Sequence, residues 1–237
     1  MMEIASSEAR VAVCRRLLAA VASAHLQPEA NALYLWGSVL STEFDEEQSD
    51  IDVLLLSADL NREAVAAMGE AARAVHPLFS RLDVTIAPSS SQVSFRVKPL
   101  DRIDPVVVFS QIPNLPHVWG DLTLADVVSC VPSSAEVLCL RLRSLRRRLR
   151  LHDRNALDEP LCFIVKEMGF ICHLLHEASV GSHSFSYEAL RRHASAGTRR
   201  AVELLMQCRH RLGPCVDRDA VFSVAMALQR VAEGLQS

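Results

Sequence analysis

Leu35-Trp36-Gly37-Ser38, eleven residues, and then Asp50-Ile51-Asp52-Val53-Leu54-Leu55-Leu56 is the stretch from which the rest of the chain can be read. Ala32–Trp36 is a short apolar run closed by glycine, the pattern of a buried strand ending in a turn. Gly37 lets the backbone turn close to a ligand. Ser38 opens what reads as a short helix over Val39–Glu43, and its hydroxyl with the free N–H groups there suits an anion. Ile51–Leu56 is a second buried-strand run, entered from an acidic loop. Asp50 and Asp52 stand two apart on it, so both carboxylates project from one face.

Outward from this stretch, a helix is expected over 60–75, with Asp59 or Asn61 as its N-cap. Leu82–Ala87 reads as a third strand, stopped by Pro88 and a serine run, and it carries Asp83. An Asp-x-Asp alone is most often a solvated strand edge. This one flanks Ile51 and leads into Val-Leu-Leu-Leu, a poor place for idle charge. Two carboxylates side by side repel unless cations neutralise them, and hard oxygen ligands favour Mg²⁺. Asp83 can join them, or pair with Arg81 or Arg102. Three carboxylates beside a phosphate-binding turn are the minimal set for two-metal phosphoryl or nucleotidyl transfer.

On Gly37, Ser38, Asp50, Asp52 and Asp83 the sequence resembles the DNA polymerase β-type nucleotidyltransferase superfamily. Its pattern is Gly-Ser, a spacer, Asp-x-Asp on a strand and a later strand carboxylate. The layout is similar to small bacterial enzymes of the aminoglycoside adenylyltransferase and minimal-nucleotidyltransferase kind. The motif covers residues 33–86, and its spacer Glu43–Ser49 lacks the glycines that often follow the turn. The resemblance implies a nucleoside triphosphate, ATP foremost, seated with its phosphates against Gly37-Ser38. It implies two Mg²⁺ ions held by Asp50, Asp52 and Asp83. It implies transfer of a nucleoside monophosphate to an acceptor hydroxyl with loss of pyrophosphate, Asp83 or Glu167 being candidates for the base.

The implied fold class is α+β: a mixed-sheet nucleotidyltransferase domain over residues 1–115, then a helical bundle over 116–237. The residues agree. An amphipathic helix is expected within 3–25, on a stripe of Val11, Cys14, Leu18 and Val21. A fourth strand is expected at Val106–Phe109. Residues 111–131 hold Pro113, Pro116 and Gly120 and read as the linker region. Beyond them come helical patterns near 133–152, 160–178, 186–195, 198–211 and 217–234, the second apolar nearly all round and so central.

Other features keep two readings each. Residues 141–154 carry seven Arg and one acid. Arg143, Arg146, Arg147 and Arg150 lie opposite a Leu138/Leu142/Leu145/Leu149 stripe. They form either a solvated outer face or a basic ridge for triphosphate, tRNA or an acidic partner surface. Lys166, His173 and Glu177 share one strip of the central helix. They form either a polar seam or, through Lys166, a nucleotide-phosphate contact. Cys172-His173-x-x-His176-Glu177 matches no zinc spacing.

The chain has 237 residues, half of them hydrophobic and 5% aromatic, enough for a Leu/Val/Ala/Ile core and against disorder. Its formal charge of −3 excludes a globally basic nucleic-acid coat. That total is a cancellation: residues 17–61 hold eight acids and no Lys or Arg, and residues 141–154 hold seven Arg. Seven cysteines without a CxxC pair read as buried free thiols of a reducing compartment. With no apolar run of bilayer length, a cytoplasmic protein without membrane association is expected. Three functions compete. One is transfer to a small hydroxylated acceptor such as an aminoglycoside-like antibiotic. Another is transfer to tRNA or a protein hydroxyl, as in toxin–antitoxin systems. The third is an inactive nucleotide- or partner-binding module. Oligomeric state stays open, a dimer included.

Overall fold

The computed structural model describes residues 6–41, 44–46, 49–88, 112–127, 133–153, 161–181, 186–193, 196–210 and 218–234. The chain falls into two compact units, one within residues 1–131 and carrying the sheet, the other carrying the helices from Ser134 onward. The strand expected at Val106–Phe109 lies outside the described residues.

In the first unit, helix α1 (Ser7–His25) starts on Ser6, whose hydroxyl accepts from the Ala9 N–H. Strand β1 (Asn31–Trp36) is buried along its whole length and runs antiparallel to β2 (Ile51–Ser57). Helix α2 (Arg62–Val75) is capped by Asn61, whose Oδ1 accepts from the N–H groups of Glu63 and Ala64. It returns the chain to β3 (Leu82–Pro88), which pairs with β2 in parallel. A short strand β4 (His117–Trp119) closes the other edge, giving a mixed sheet in the order β3-β2-β1-β4.

Side chains alternate across such a sheet. Leu33, Leu35, Ile51, Val53 and Leu55 point to one face and form the core with Cys14 and Leu18 of α1 and Met68 and Ala72 of α2. Asp52 and Asp83, at the alternate positions, point to the other face.

β4 lies within the segment that reads as a linker from sequence, so the described residues 116–127 go with the sheet. Two contacts seat it: the Leu35 N–H donates to the Pro116 carbonyl, and the Asp121 N–H to that of Pro28. Gly120, at φ +90°, is required here because a β-carbon would collide with the Asn31 carbonyl. A short helix α3 (Leu124–Val127) follows, boxed by Thr123 and Asp126, whose carboxylate accepts from the Thr123 N–H at 2.8 Å and hydroxyl at 2.6 Å.

The second unit holds α4 (Ser134–Asp153), α5 (Leu161–Val180), α6 (Tyr187–His193), α7 (Ala196–His210) and α8 (Arg218–Gly234). Ser133 and Glu136 form the capping box of α4. α5 packs against the other four, which explains its nearly all-apolar surface. Among the described residues no helix is long and apolar enough to cross a membrane.

Candidate functional site

The turn after β1 and the acids of β2 and β3 meet through strand register. Trp36 pairs with Asp52 across the antiparallel ladder, and Asp52 pairs with Asp83 across the parallel one. The two carboxylates therefore sit on neighbouring strands at the same level and on the same face. Gly37 follows Trp36 at φ +77°, and a β-carbon on it would run into the Asp52 carboxylate. Only glycine leaves that carboxylate room. Asp52 is half-buried and Asp83 is exposed.

The turn is a 3₁₀ segment, Gly37–Leu40, shorter than the helix expected to Glu43. The Ser41 N–H closes it on the Ser38 carbonyl. The Ser38 hydroxyl donates to the backbone carbonyl of Asp50 at 3.2 Å, so it ties the turn to the entry of β2. Asp50 itself is exposed and precedes Ile51, the first residue paired with β3. The sheet holds two of the three expected acids side by side. No three Asp, Glu, His or Cys side chains converge as a metal-holding group among the described residues. The donor set still suits a hard divalent cation: carboxylate oxygens only, adjoining, with the backbone bare of side chain at Gly37.

Arg10 was missed in the sequence. It is 6% exposed, and its Nε and Nη2 donate to the carbonyls of Val39 at 3.0 Å and Ser41 at 2.6 Å. Its guanidinium lies 4.5 Å from the centre of the Phe44 ring. Burial pulls its pKa below the ordinary arginine value. The signal was legible: Arg10, Cys14 and Leu18 lie four apart on the buried stripe of α1. Arg73 of α2 similarly donates to the Leu82 carbonyl, next to Asp83. Beyond the turn, the Asp45 N–H donates to the Ser49 hydroxyl and the Ser49 N–H to the Asp45 carbonyl, closing the spacer on itself.

The candidates of the second unit fare differently. Glu167 is buried, with Oε2 accepting from Arg141 Nη1 at 2.7 Å. A carboxylate so engaged is a structural ion pair, which argues against Glu167 as the base. Glu177 accepts from the Ser134 hydroxyl at 2.7 Å, and the His173 ring packs 5.5 Å from that of Tyr187, so both belong to a seam between helices. Lys166 lies on α5, with its side chain outside the described residues.

No protein-family model matches the chain, and no curated protein matches it significantly. Among solved structures it is similar to a spectinomycin adenyltransferase, AAD(9), of Enterococcus faecialis, crystallised with ATP and spectinomycin. The identity is 13% and the TM-score 0.49, over 96% of this chain and 98% of that one. A likeness of that size assigns neither fold nor activity.

Proposed function

We propose that the chain is a Mg²⁺-dependent nucleotidyltransferase that moves a nucleoside monophosphate, AMP from ATP, to a hydroxyl of a small cationic acceptor of the aminoglycoside type. The observation that carries this reading is the seat of Asp52, with Asp83 beside it and the bare backbone of Gly37 against its carboxylate. Two adjoining carboxylates on neighbouring strands repel each other, and a bound cation relieves that repulsion. A glycine at positive φ in front of them keeps that space open.

The roles follow from position. The Gly37-Ser38 turn, tied to Asp50 and clamped by Arg10, orients the triphosphate. Asp50, Asp52 and Asp83 would hold Mg²⁺, which supplies charge neutralisation for the triphosphate and the leaving group when bound. The acceptor oxygen bonds to the α-phosphorus as the α–β anhydride bond breaks, and pyrophosphate leaves. Asp83, exposed at the strand start, is the carboxylate that takes the acceptor's proton, since Glu167 is engaged by Arg141. Lys166 remains the candidate phosphate contact from the helical segment. The eight acids and absent Lys or Arg of residues 17–61 support a polycationic acceptor.

The deciding experiment incubates the protein with α-labelled NTPs, Mg²⁺ and a panel of aminoglycosides. Labelled product from ATP, lost with Asp52→Asn, is the expected result. Absence of both product and metal-dependent nucleotide binding would overturn the reading.

A further inference from the structure

We propose that the arginine face of α4 binds the phosphate backbone of a nucleic-acid duplex, independently of the chemistry at Asp52. Leu138, Leu142, Leu145 and Leu149 turn inward and are buried. Arg143, Arg147 and Arg150 are exposed, Arg146 is half-buried, and the four line an open depression of about 380 Å³ together with Leu151. Among the described residues the lining holds no acid, and α4 carries none between Glu136 and Asp153.

This is unlike an ordinary solvated face, where opposite charges interleave at i,i+4. Here Arg143 stands four residues from Arg147, and Arg147 three from Arg150. Like charges at those spacings repel and weaken the helix, and a polyanion relieves the repulsion. The ridge runs about 10 Å along the axis, roughly three phosphate steps of one duplex strand. Guanidinium forks suit phosphate oxygens in pairs.

The lining also selects among polyanions. A protein interface has an apolar or aromatic centre, and among the described lining residues Leu151 alone is apolar. A single strand is held by stacking on aromatic rings, and among the described residues no aromatic side chain lines the depression. What remains is sequence-independent contact to a duplex backbone.

The test is fluorescence anisotropy of the whole protein with labelled RNA and DNA duplexes of about 20 base pairs, in EDTA and without nucleotide, over a salt series. The expected result is binding whose log K falls linearly with log salt. The variant Arg143→Gln/Arg147→Gln/Arg150→Gln should flatten that slope by about 3 on DNA. Gln is a good helix former, and circular dichroism checks the fold of the variant. If the triple variant does not fold, Arg150→Gln alone should lower the slope by about 1. The proposal is overturned if no duplex binds at low salt or if the slope is unchanged in the variants. It is equally overturned if a polyglutamate peptide or a single strand of equal length binds more tightly than the duplex.

Discussion

A β-carbon added to Gly37 would lie 3.1 Å from Asp52 Cγ and closer still to its Oδ2. The turn residue and the acid one ladder pair away thus occupy complementary space. Gly37→Ala carries two penalties: a side chain at φ +77° and a displaced carboxylate. The backbone share is about 1–2 kcal/mol. We expect urea melts to show at least that loss and Mg²⁺-dependent ATP binding to fall with it. Full stability together with unchanged binding would mean that the turn and Asp52 are not coupled.

Asp52 and Asp83 are direct neighbours across β2 and β3. Without a cation their repulsion destabilises the sheet by up to about 1 kcal/mol. Asp83→Asn should therefore raise the melting temperature in EDTA, and Mg²⁺ should stabilise the natural protein more than the variant. In the transfer assay the variant should lose more than about 100-fold, beyond what residues that merely support metal ligands cost. Equal Mg²⁺ stabilisation of both proteins would remove Asp83 from the metal site.

Much of this arrangement is legible in the sequence, because its parts are local. The apolar runs of β1 and β2, the Asn61 cap and the two-residue offset of Asp50 and Asp52 each depend on a few adjacent residues. What sequence could not supply was tertiary. β4 is three residues long and borders Pro116 and Gly120, so it reads as linker; only its pairing with Leu33 and Tyr34 makes it a strand. The 3₁₀ turn stops at Leu40, and Arg10, 29 residues before Val39, holds the Val39 carbonyl there, a contact no local pattern reveals. The ion pair of Glu167 with Arg141, 26 residues away on another helix, is likewise tertiary.

Arg10 holds the Gly37–Leu40 turn through the carbonyls of Val39 and Ser41. Arg10→Met leaves the Val39 and Ser41 carbonyls without these donors in a buried setting, a cost of about 1–3 kcal/mol. Arg10→Lys restores the charge but not the two-pronged geometry, so it should recover only part of the stability. If Arg10 acts through the turn, KM for ATP should rise more than kcat falls. A pure kcat effect would place its influence elsewhere.

Arg141 and Glu167 form a buried pair that is incompletely satisfied: among the described residues Glu167 Oε1 and Arg141 Nε and Nη2 find no hydrogen-bond partner. Removing one member strands a charge, and Glu167→Ala should cost about 3–5 kcal/mol. The apolar double replacement Arg141→Met/Glu167→Leu should recover most of it. If Asp83 rather than Glu167 takes the acceptor's proton, that protein should still transfer. A stable double variant without activity would return Glu167 to the catalytic machinery.

Cys14 and Cys172 are buried, and burial raises both thiols from 9.0 to about 12. Both should resist alkylation in the folded protein and react once it unfolds, since the thiolate is the nucleophile. The same shift sets an alkaline limit. Below pH 9 both states keep the proton and the thiols contribute no pH dependence. Between 9.0 and about 12 the unfolded chain releases protons that the folded chain retains, so stability falls as pH rises. Cys14→Ala and Cys172→Ala should each flatten that decline in urea titrations, at the expense of some core packing at every pH. An unchanged slope in both variants would assign the alkaline loss to other groups.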